Sequence, residues 1–197
     1  MRTLILAGFL GAGKTTVLME LAAFLVRNGK TVVILENEIS SAGVDNQLLK
    51  SRGFQVRNIF AGCVCCSSAG VLCQDVHTIR QEFAPDWLIV EATGMAFPDA
   101  IQESLLRELG ISASILALAD ASRWKRVLGA MRQFAVSQLK GASMVLVNKI
   151  DKVGQDALRE ATESVEELAP GIPVHPVCAI QPIPETVWKS LPGMEEL

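Results

Sequence analysis

No stretch of this sequence reaches the ~18 consecutive uncharged apolar residues that crossing a bilayer requires, although half of its residues are hydrophobic and the mean hydropathy is +0.34. A membrane association is therefore not expected. The opening residues also lack a basic region followed by a long apolar stretch and a small-residue cleavage site, since Arg2 leads straight into the short apolar run Thr3–Ala7. Export is not expected, and the cytoplasm is the expected compartment. Positive charge is in deficit, with 18 Lys+Arg against 21 Asp+Glu and a net charge of −3. No summed field then draws in a nucleic-acid backbone or an anionic lipid surface, and neither is expected as a partner. Repeats and low-complexity segments are missing, and charged residues make up only 20 % of the chain, which excludes disorder for most of it. Histidine is scarce, with His77 and His175 alone. The five cysteines do not suit a disulfide framework, because the count is odd and Cys63, Cys65 and Cys66 fall within four positions. Those three read as ligands or reactive thiols.

What is present is 197 residues, the size of one domain, long enough to bury roughly 70 % of the unfolded surface. Short apolar runs alternate with segments of helical period, the pattern of βαβ units around a mainly parallel sheet. About seven strands are expected, at Thr3–Ala7, Thr31–Glu36, Phe54–Phe60, Trp87–Glu91, Ser114–Ala119, Met144–Asn148 and Ile172–Val177. Leu18, Leu21, Ala22 and Leu25 recur at helical spacing and predict a helix from Lys14 to Asn28, stopped at Gly29. The same period in Leu72, Val76, Ile79 and Phe83, and in Leu158, Ala161, Val165 and Leu168, predicts two more sheet-covering helices. Periodicity is poor over Ile39–Gly53 and Asp120–Gly141. Arg123, Lys125, Arg126 and Arg132 cluster in the second stretch and read as a solvated helix face, with a basic lid or partner site as the alternative. A single domain over residues 1–197 is expected, with only a short helix in the tail from Pro182.

Gly8-Phe9-Leu10-Gly11-Ala12-Gly13-Lys14-Thr15 matches G-x-x-x-x-G-K-[ST] between a predicted strand and a predicted helix, the context this phosphate-binding loop needs. Its glycines let successive N–H groups turn toward a β-phosphate. Lys14, expected on a solvent-facing loop, adds charge between the β- and γ-phosphates, and the Thr15 hydroxyl is a hard ligand for Mg²⁺. The fold class is then a P-loop NTPase, a three-layer α/β/α sandwich. An acid at the end of a neighbouring apolar strand is expected to hold the metal's water shell, and Glu91 supplies it. In Ala92-Thr93-Gly94, the glycine can bring a backbone N–H to the γ-phosphate. Lys14, Glu91 and Gly94 are the candidate catalytic residues.

Met144–Val147 runs into Asn148-Lys149-Ile150-Asp151, an Asn-Lys-x-Asp guanine-reading signature. An ionised Asp151 accepts from the guanine ring N–H and exocyclic amine together, and adenine offers no such pair of donors. The next predicted strand ends at Cys178-Ala179, where a backbone donor for the guanine oxygen is expected.

Gly62-Cys63-Val64-Cys65-Cys66-Ser67 brings three thiols together between a strand and a helix. Soft ligands of this kind suit Zn²⁺, with Co²⁺ or Cu⁺ also open; a redox pair is the competing reading. Glu36 and Glu38 are preferred over the two histidines as further ligands, while Cys73 and Cys178 stand apart.

Taken in order, the runs GFLGAGKTT at Gly8–Thr16, GCVCC at Gly62–Cys66, EATG at Glu91–Gly94 and NKID at Asn148–Asp151 resemble the CobW-type metallochaperone GTPases, relatives of the HypB and UreG nickel chaperones. The resemblance runs from residue 2 to about 180. It implies a SIMIBI-class P-loop fold, Mg²⁺-dependent GTP hydrolysis, and delivery of a transition metal or a cobalamin-type (corrinoid) cofactor to a client protein, with a homodimer as a possible assembly. It also implies that Glu36-Asn37-Glu38 belongs to the first switch, although this chain continues Ile39-Ser40 where Phe-Gly is commoner. Typical members carry a further C-terminal domain and often a His-rich tract, so a short form is expected here. Two rival readings stay open. A small-molecule kinase would need an arginine-rich lid, for which Arg123–Arg132 is the only candidate, and would not need Asp151. A non-catalytic nucleotide- and metal-binding module is the other.

Overall fold

β1 (Arg2–Gly8) lies at the centre of the sheet because almost every residue of it is buried, on both faces. Leu4 and Leu6 point to one side and Ile5 and Ala7 to the other, as strand alternation requires. The computed structural model describes residues 1–36, 55–58, 69–195 and 197. Around β1 stand β2 (Val32–Glu36), β3 (Gln55–Asn58), β4 (Trp87–Glu91), β5 (Ala113–Asp120), β6 (Met144–Asn148) and β7 (Val174–Pro176). The strand order is β3-β2-β4-β1-β5-β6-β7, and every pairing is parallel. Sequence analysis expected a mainly parallel sheet of about seven strands; the described sheet has seven and is wholly parallel. Strands covered on both faces read as unbroken apolar runs, which is why they were legible.

Helices cover both faces. α1 (Lys14–Arg27) lays Val17, Leu18, Leu21, Ala22 and Leu25 against Leu4, Leu6, Ile34, Ile89, Leu116 and Leu146. The tail returns to that same face. There α6 (Glu185–Trp188) and the residues after it bury Trp188, Leu191 and Met194, and the Trp188 ring lies 6.4 Å from that of Phe24 on α1. On the opposite face sit α2 (Ala69–Glu82), α3 (Pro98–Leu109), α4 (Trp124–Leu139) and α5 (Gln155–Leu168). The periodic residues Leu72, Val76, Ile79, Ala161 and Val165 are buried there as expected, whereas Phe83 falls just past α2 and is exposed.

Two helices were not legible. α3 carries a narrow stripe, Ile101 and Leu105, and starts with Pro98 in its first turn, where a missing N–H costs nothing. α4 occupies the stretch of poor periodicity, and its backbone leaves helical geometry at Met131 (φ −143°, ψ 45°). Only Trp124, Ala135, Gln138 and Leu139 of this helix are buried, one of them polar and none between Trp124 and Ala135, so no continuous apolar stripe marks it in the sequence. β7 is also shorter than expected, with Pro173 before it and Pro176 within it at the sheet's edge.

The chain reverses its direction of travel across the sheet at β1, with β4 on one side and β5 on the other. In open parallel sheets ligands bind beyond the carboxyl ends of the strands at such a point, and the motif residues lie there. Trp188→Ala should remove a side chain that is 1 % exposed and cost about 3–5 kcal/mol. Urea denaturation of parent and variant measures the difference.

Candidate functional site

The phosphate-loop sequence joins β1 to α1, and Gly13 directly precedes the helix with φ 100°. A Cβ at Gly13 would collide with the side-chain amide nitrogen of Asn148, so glycine is required there by space as well as by backbone. Lys14 is only 8 % exposed, against the expectation of a solvent-facing side chain. Its Nζ donates to the carbonyls of Gly8 (3.0 Å) and Phe9 (3.4 Å), which draws the charge inside the curl of the loop. Thr15 faces the acid side and Thr16 is exposed on the first turn of α1.

Glu91 ends β4 level with Leu6 of β1 and with Glu36 of β2. The Thr15 hydroxyl donates to Glu91 Oε1 at 3.3 Å. A hydroxyl and a carboxylate brought together beside the loop form an oxygen-only donor set that fits Mg²⁺ and would suit a soft metal poorly. Three residues on, Gly94 touches the phosphate loop: a Cβ there would stand 2.5 Å from the Leu10 amide nitrogen and 2.9 Å from its Cα. That contact excludes every side chain and sets the Gly94 backbone directly against the loop.

On the other side of β1, Asn148 is 2 % exposed and hydrogen-bonded through both its nitrogen and its oxygen. Its Nδ2 donates to the Ala12 carbonyl (2.9 Å), and its Oδ1 accepts from the amides of Lys149 (2.8 Å) and Ala179 (3.0 Å). The expected donor at Ala179 is thus turned onto Asn148. Asp151 is exposed, and the Cys178 thiol donates to its Oδ1 at 3.2 Å. That hydrogen bond, then burial and the charge of Asp151, push the Cys178 thiol up. Burial likewise pushes the Cys73 thiol up, helped by the charge of Glu108. Both shifts favour the thiol over the thiolate.

Asp120 was not singled out from the sequence, and Arg123 was read there only as part of a solvated basic cluster or lid. Asp120 ends β5 beside Asn148 and is 5 % exposed. Its carboxylate accepts from the Ser122 amide (3.1 Å) and hydroxyl (2.6 Å), Arg123 Nε (2.8 Å) and Lys149 Nζ (2.8 Å). Burial is the largest single influence and opposes ionisation, but the Lys149, Ser122 and Arg123 hydrogen bonds together with the Lys149 charge outweigh it and hold the carboxyl below its ordinary value. Lys149 Nζ also donates to the Gly11 carbonyl, and Arg123 Nη2 to that of Leu10 at 2.9 Å. An acid closing an apolar strand beside β1, with an arginine three residues later, was the available signal.

Glu38, Cys63, Cys65 and Cys66 lie outside the described residues, and of Glu36 only the backbone is described. Among the described residues no group of three His, Cys, Asp or Glu side chains is arranged to hold a metal ion, and no described helix is long and apolar enough to cross a membrane.

The family model for the CobW/HypB/UreG nucleotide-binding domain matches residues 2–176. The chain belongs to the CobW/HypB/UreG family. Relatives include the zinc chaperone YjiA of Escherichia coli K12, 31 % identical over 84 % of this chain and 55 % of that protein, and the zinc chaperone YeiR of the same organism, 30 % identical over 77 % and 47 %. The chain spans about half the length of the curated relatives it matches. The same fold occurs in HypB of Archaeoglobus fulgidus (TM-score 0.66, 15 % identity, 90 % of this chain and 81 % of that one). It occurs again in nickel-bound HypB of Helicobacter pylori (TM-score 0.63, 23 % identity, 92 % and 80 %).

Because the carboxyl of Asp120 is held below its ordinary value when folded and returns to ~3.9 when unfolded, it adds stability at every pH above that unfolded value. This contribution disappears as the pH falls from about 4 through the lower folded value. Asp120→Asn should therefore flatten the acid side of the stability curve below about pH 4. Urea titrations of both proteins at successive pH values read the two slopes; equal slopes would remove the assignment.

Proposed function

We propose that this CobW/HypB/UreG domain binds and hydrolyses GTP with Mg²⁺, carries a transition metal on Cys63, Cys65 and Cys66, and delivers it to a client metalloprotein or corrinoid protein. The observation that carries the nucleotide part is the Asn148 side chain, which ties Ala12 of the phosphate loop to Lys149 and Ala179 of the base-reading loops. Phosphate and base determinants are thereby one construction. Asp151, exposed at its edge, has the acceptor pair that guanine matches.

Lys14 would neutralise charge between the β- and γ-phosphates while the loop amides of Gly11 and Gly13 donate to phosphate oxygens; the Ala12 amide donates to the Phe9 carbonyl at 3.0 Å and closes the loop's turn. Thr15 and Glu91 would hold Mg²⁺, directly and through its water shell; the ion supplies charge neutralisation on the β- and γ-oxygens. Gly94, pressed against Leu10, is suited to present its amide where a γ-phosphate ends. Glu36 begins the segment that would join this hard-metal side to the thiol side. The relatives named zinc chaperones favour Zn²⁺ over Co²⁺ as the cargo, and the cytoplasm is the compartment this reading expects. A homodimer would be one way to complete the hydrolytic site.

Asp151→Asn should weaken GTP strongly and shift preference toward xanthosine triphosphate, whose extra carbonyl meets the new amide donor. Competition titrations with the two nucleotides decide this, and unchanged GTP affinity would remove the guanine assignment.

Replacing Cys63, Cys65 and Cys66 together with Ser should abolish tight Zn²⁺ or Co²⁺ binding and leave GTP binding intact, because hydroxyls are hard, weakly acidic ligands. If Glu36 or Glu38 joins the thiols in one nucleotide state, metal affinity differs between the GDP and non-hydrolysable GTP forms. GTP affinity then responds to metal by the same factor, worth ~1–3 kcal/mol. Metal titration in both nucleotide states, and nucleotide titration with and without metal, measure the coupling. Identical metal affinities would leave two independent sites.

A further inference from the structure

Five consecutive carbonyls of the phosphate loop accept from side-chain donors. Lys14 takes those of Gly8 and Phe9, Arg123 that of Leu10, Lys149 that of Gly11 and Asn148 that of Ala12. A trans peptide is planar, so the carbonyl of one residue and the N–H of the next point in opposite directions. A donor fixed on the Leu10 carbonyl therefore determines which way the Gly11 N–H points. Asn148 does the same for the Gly13 amide, while the Ala12 amide, opposite the carbonyl held by Lys149, donates to the Phe9 carbonyl at 3.0 Å. Four of these five contacts come from the Gly-Lys and Asn-Lys motifs themselves. The fifth, Arg123, belongs to neither.

Arg123 is not a stray surface arginine that happens to lie nearby. Its Nε is fixed by Asp120 Oδ2 at 2.8 Å, its Nη2 reaches Leu10 at 2.9 Å, and the same Asp120 oxygen holds Lys149, which grips the next carbonyl. One buried carboxylate thus anchors two cations on two successive carbonyls. Arg123 spans its pair with two nitrogens of a rigid planar fork, whereas Lys149 meets both of its acceptors with one ammonium on a flexible stem.

We propose that Arg123, anchored by Asp120, is a positioning residue that aims the Gly11 amide into the phosphate-binding curl of the loop. This rests on the GTPase reading above. In phosphoryl transfer, charge grows on the leaving-group side as the transition state forms, so misaimed donors cost more in the transition state than in the ground state. Arg123 is hydrogen-bonded to Asp120 and Leu10 and not, among the described residues, to the base-reading Asp151, so guanine selection should change less than phosphate binding.

The test compares the parent with Arg123→Ala and Arg123→Lys, measuring single-turnover hydrolysis at saturating GTP, affinities for GDP and a non-hydrolysable GTP analogue, guanine-over-adenine preference, and melting temperature. Arg123→Ala should hydrolyse about 10-fold more slowly and bind the triphosphate analogue relatively worse against GDP, with base preference and melting temperature nearly unchanged. Arg123→Lys should recover only part of the rate. Parent-like hydrolysis and an unchanged analogue-to-GDP ratio in Arg123→Ala would overturn the proposal, as would equal losses for both nucleotides with a lowered melting temperature. A parent that binds GTP but does not hydrolyse it would instead overturn the GTPase reading, and the analogue-to-GDP ratio would then decide the role of Arg123 alone.

Discussion

The Asn148 side chain makes three hydrogen bonds, each to a different stretch of chain, from a position almost wholly shielded from water. An amide has one acceptor and two donors, and here the acceptor is shared by two backbone N–H groups while one donor fixes the phosphate loop. Burial gives those bonds their force, because any partner lost would be left without water to replace it. Gly13 has no side chain for the same reason: the Asn148 amide takes the space a Cβ would need. The last turn of the phosphate loop, the start of α1 and the placement of the base-reading loops therefore meet at one side chain seated at the end of β6.

Around this point the two halves of the site differ in chemistry. Toward β4 the groups are oxygens, the Thr15 hydroxyl and the Glu91 carboxylate, with Gly94 folded onto the loop. Toward β5 and β6 they are cations tied to a buried acid, Lys149 and Arg123 on Asp120. The first half suits a hard divalent ion and the end of a phosphate chain; the second holds the loop's own carbonyls. Division of this kind follows from the strand order, since β4 and β5 flank β1 and each contributes an acid at its carboxyl end.

β1, β2, β4, β5 and β6 were legible because burial on both faces makes each an apolar run, and the motifs were legible because they end those runs. α1 and α5 were legible as well, each presenting one continuous apolar stripe. α3 and α4 were not, the first for its narrow buried face and the second because its few buried residues are widely spaced and include the polar Gln138. Lys14 was misjudged because nothing in a linear motif reveals that its ammonium folds back onto the carbonyls of Gly8 and Phe9. Asp120 was not singled out, and Arg123 was read only as part of a solvated basic cluster, for a related reason. Their partners Leu10 and Lys149 are remote in sequence, and hydrogen bonds to backbone carbonyls leave no residue-type signature.

At one margin of the sheet, β7 is three residues long, preceded by Pro173 and containing Pro176. Proline has no N–H to offer an incoming strand, and so short an edge presents little backbone on which another chain can template. The sheet is thus protected there against growing by strand addition, the route by which exposed β-edges lead to aggregation. Any regular assembly on that side of the molecule must be built from helix faces and loops, whose side chains, unlike bare backbone, can discriminate between partners.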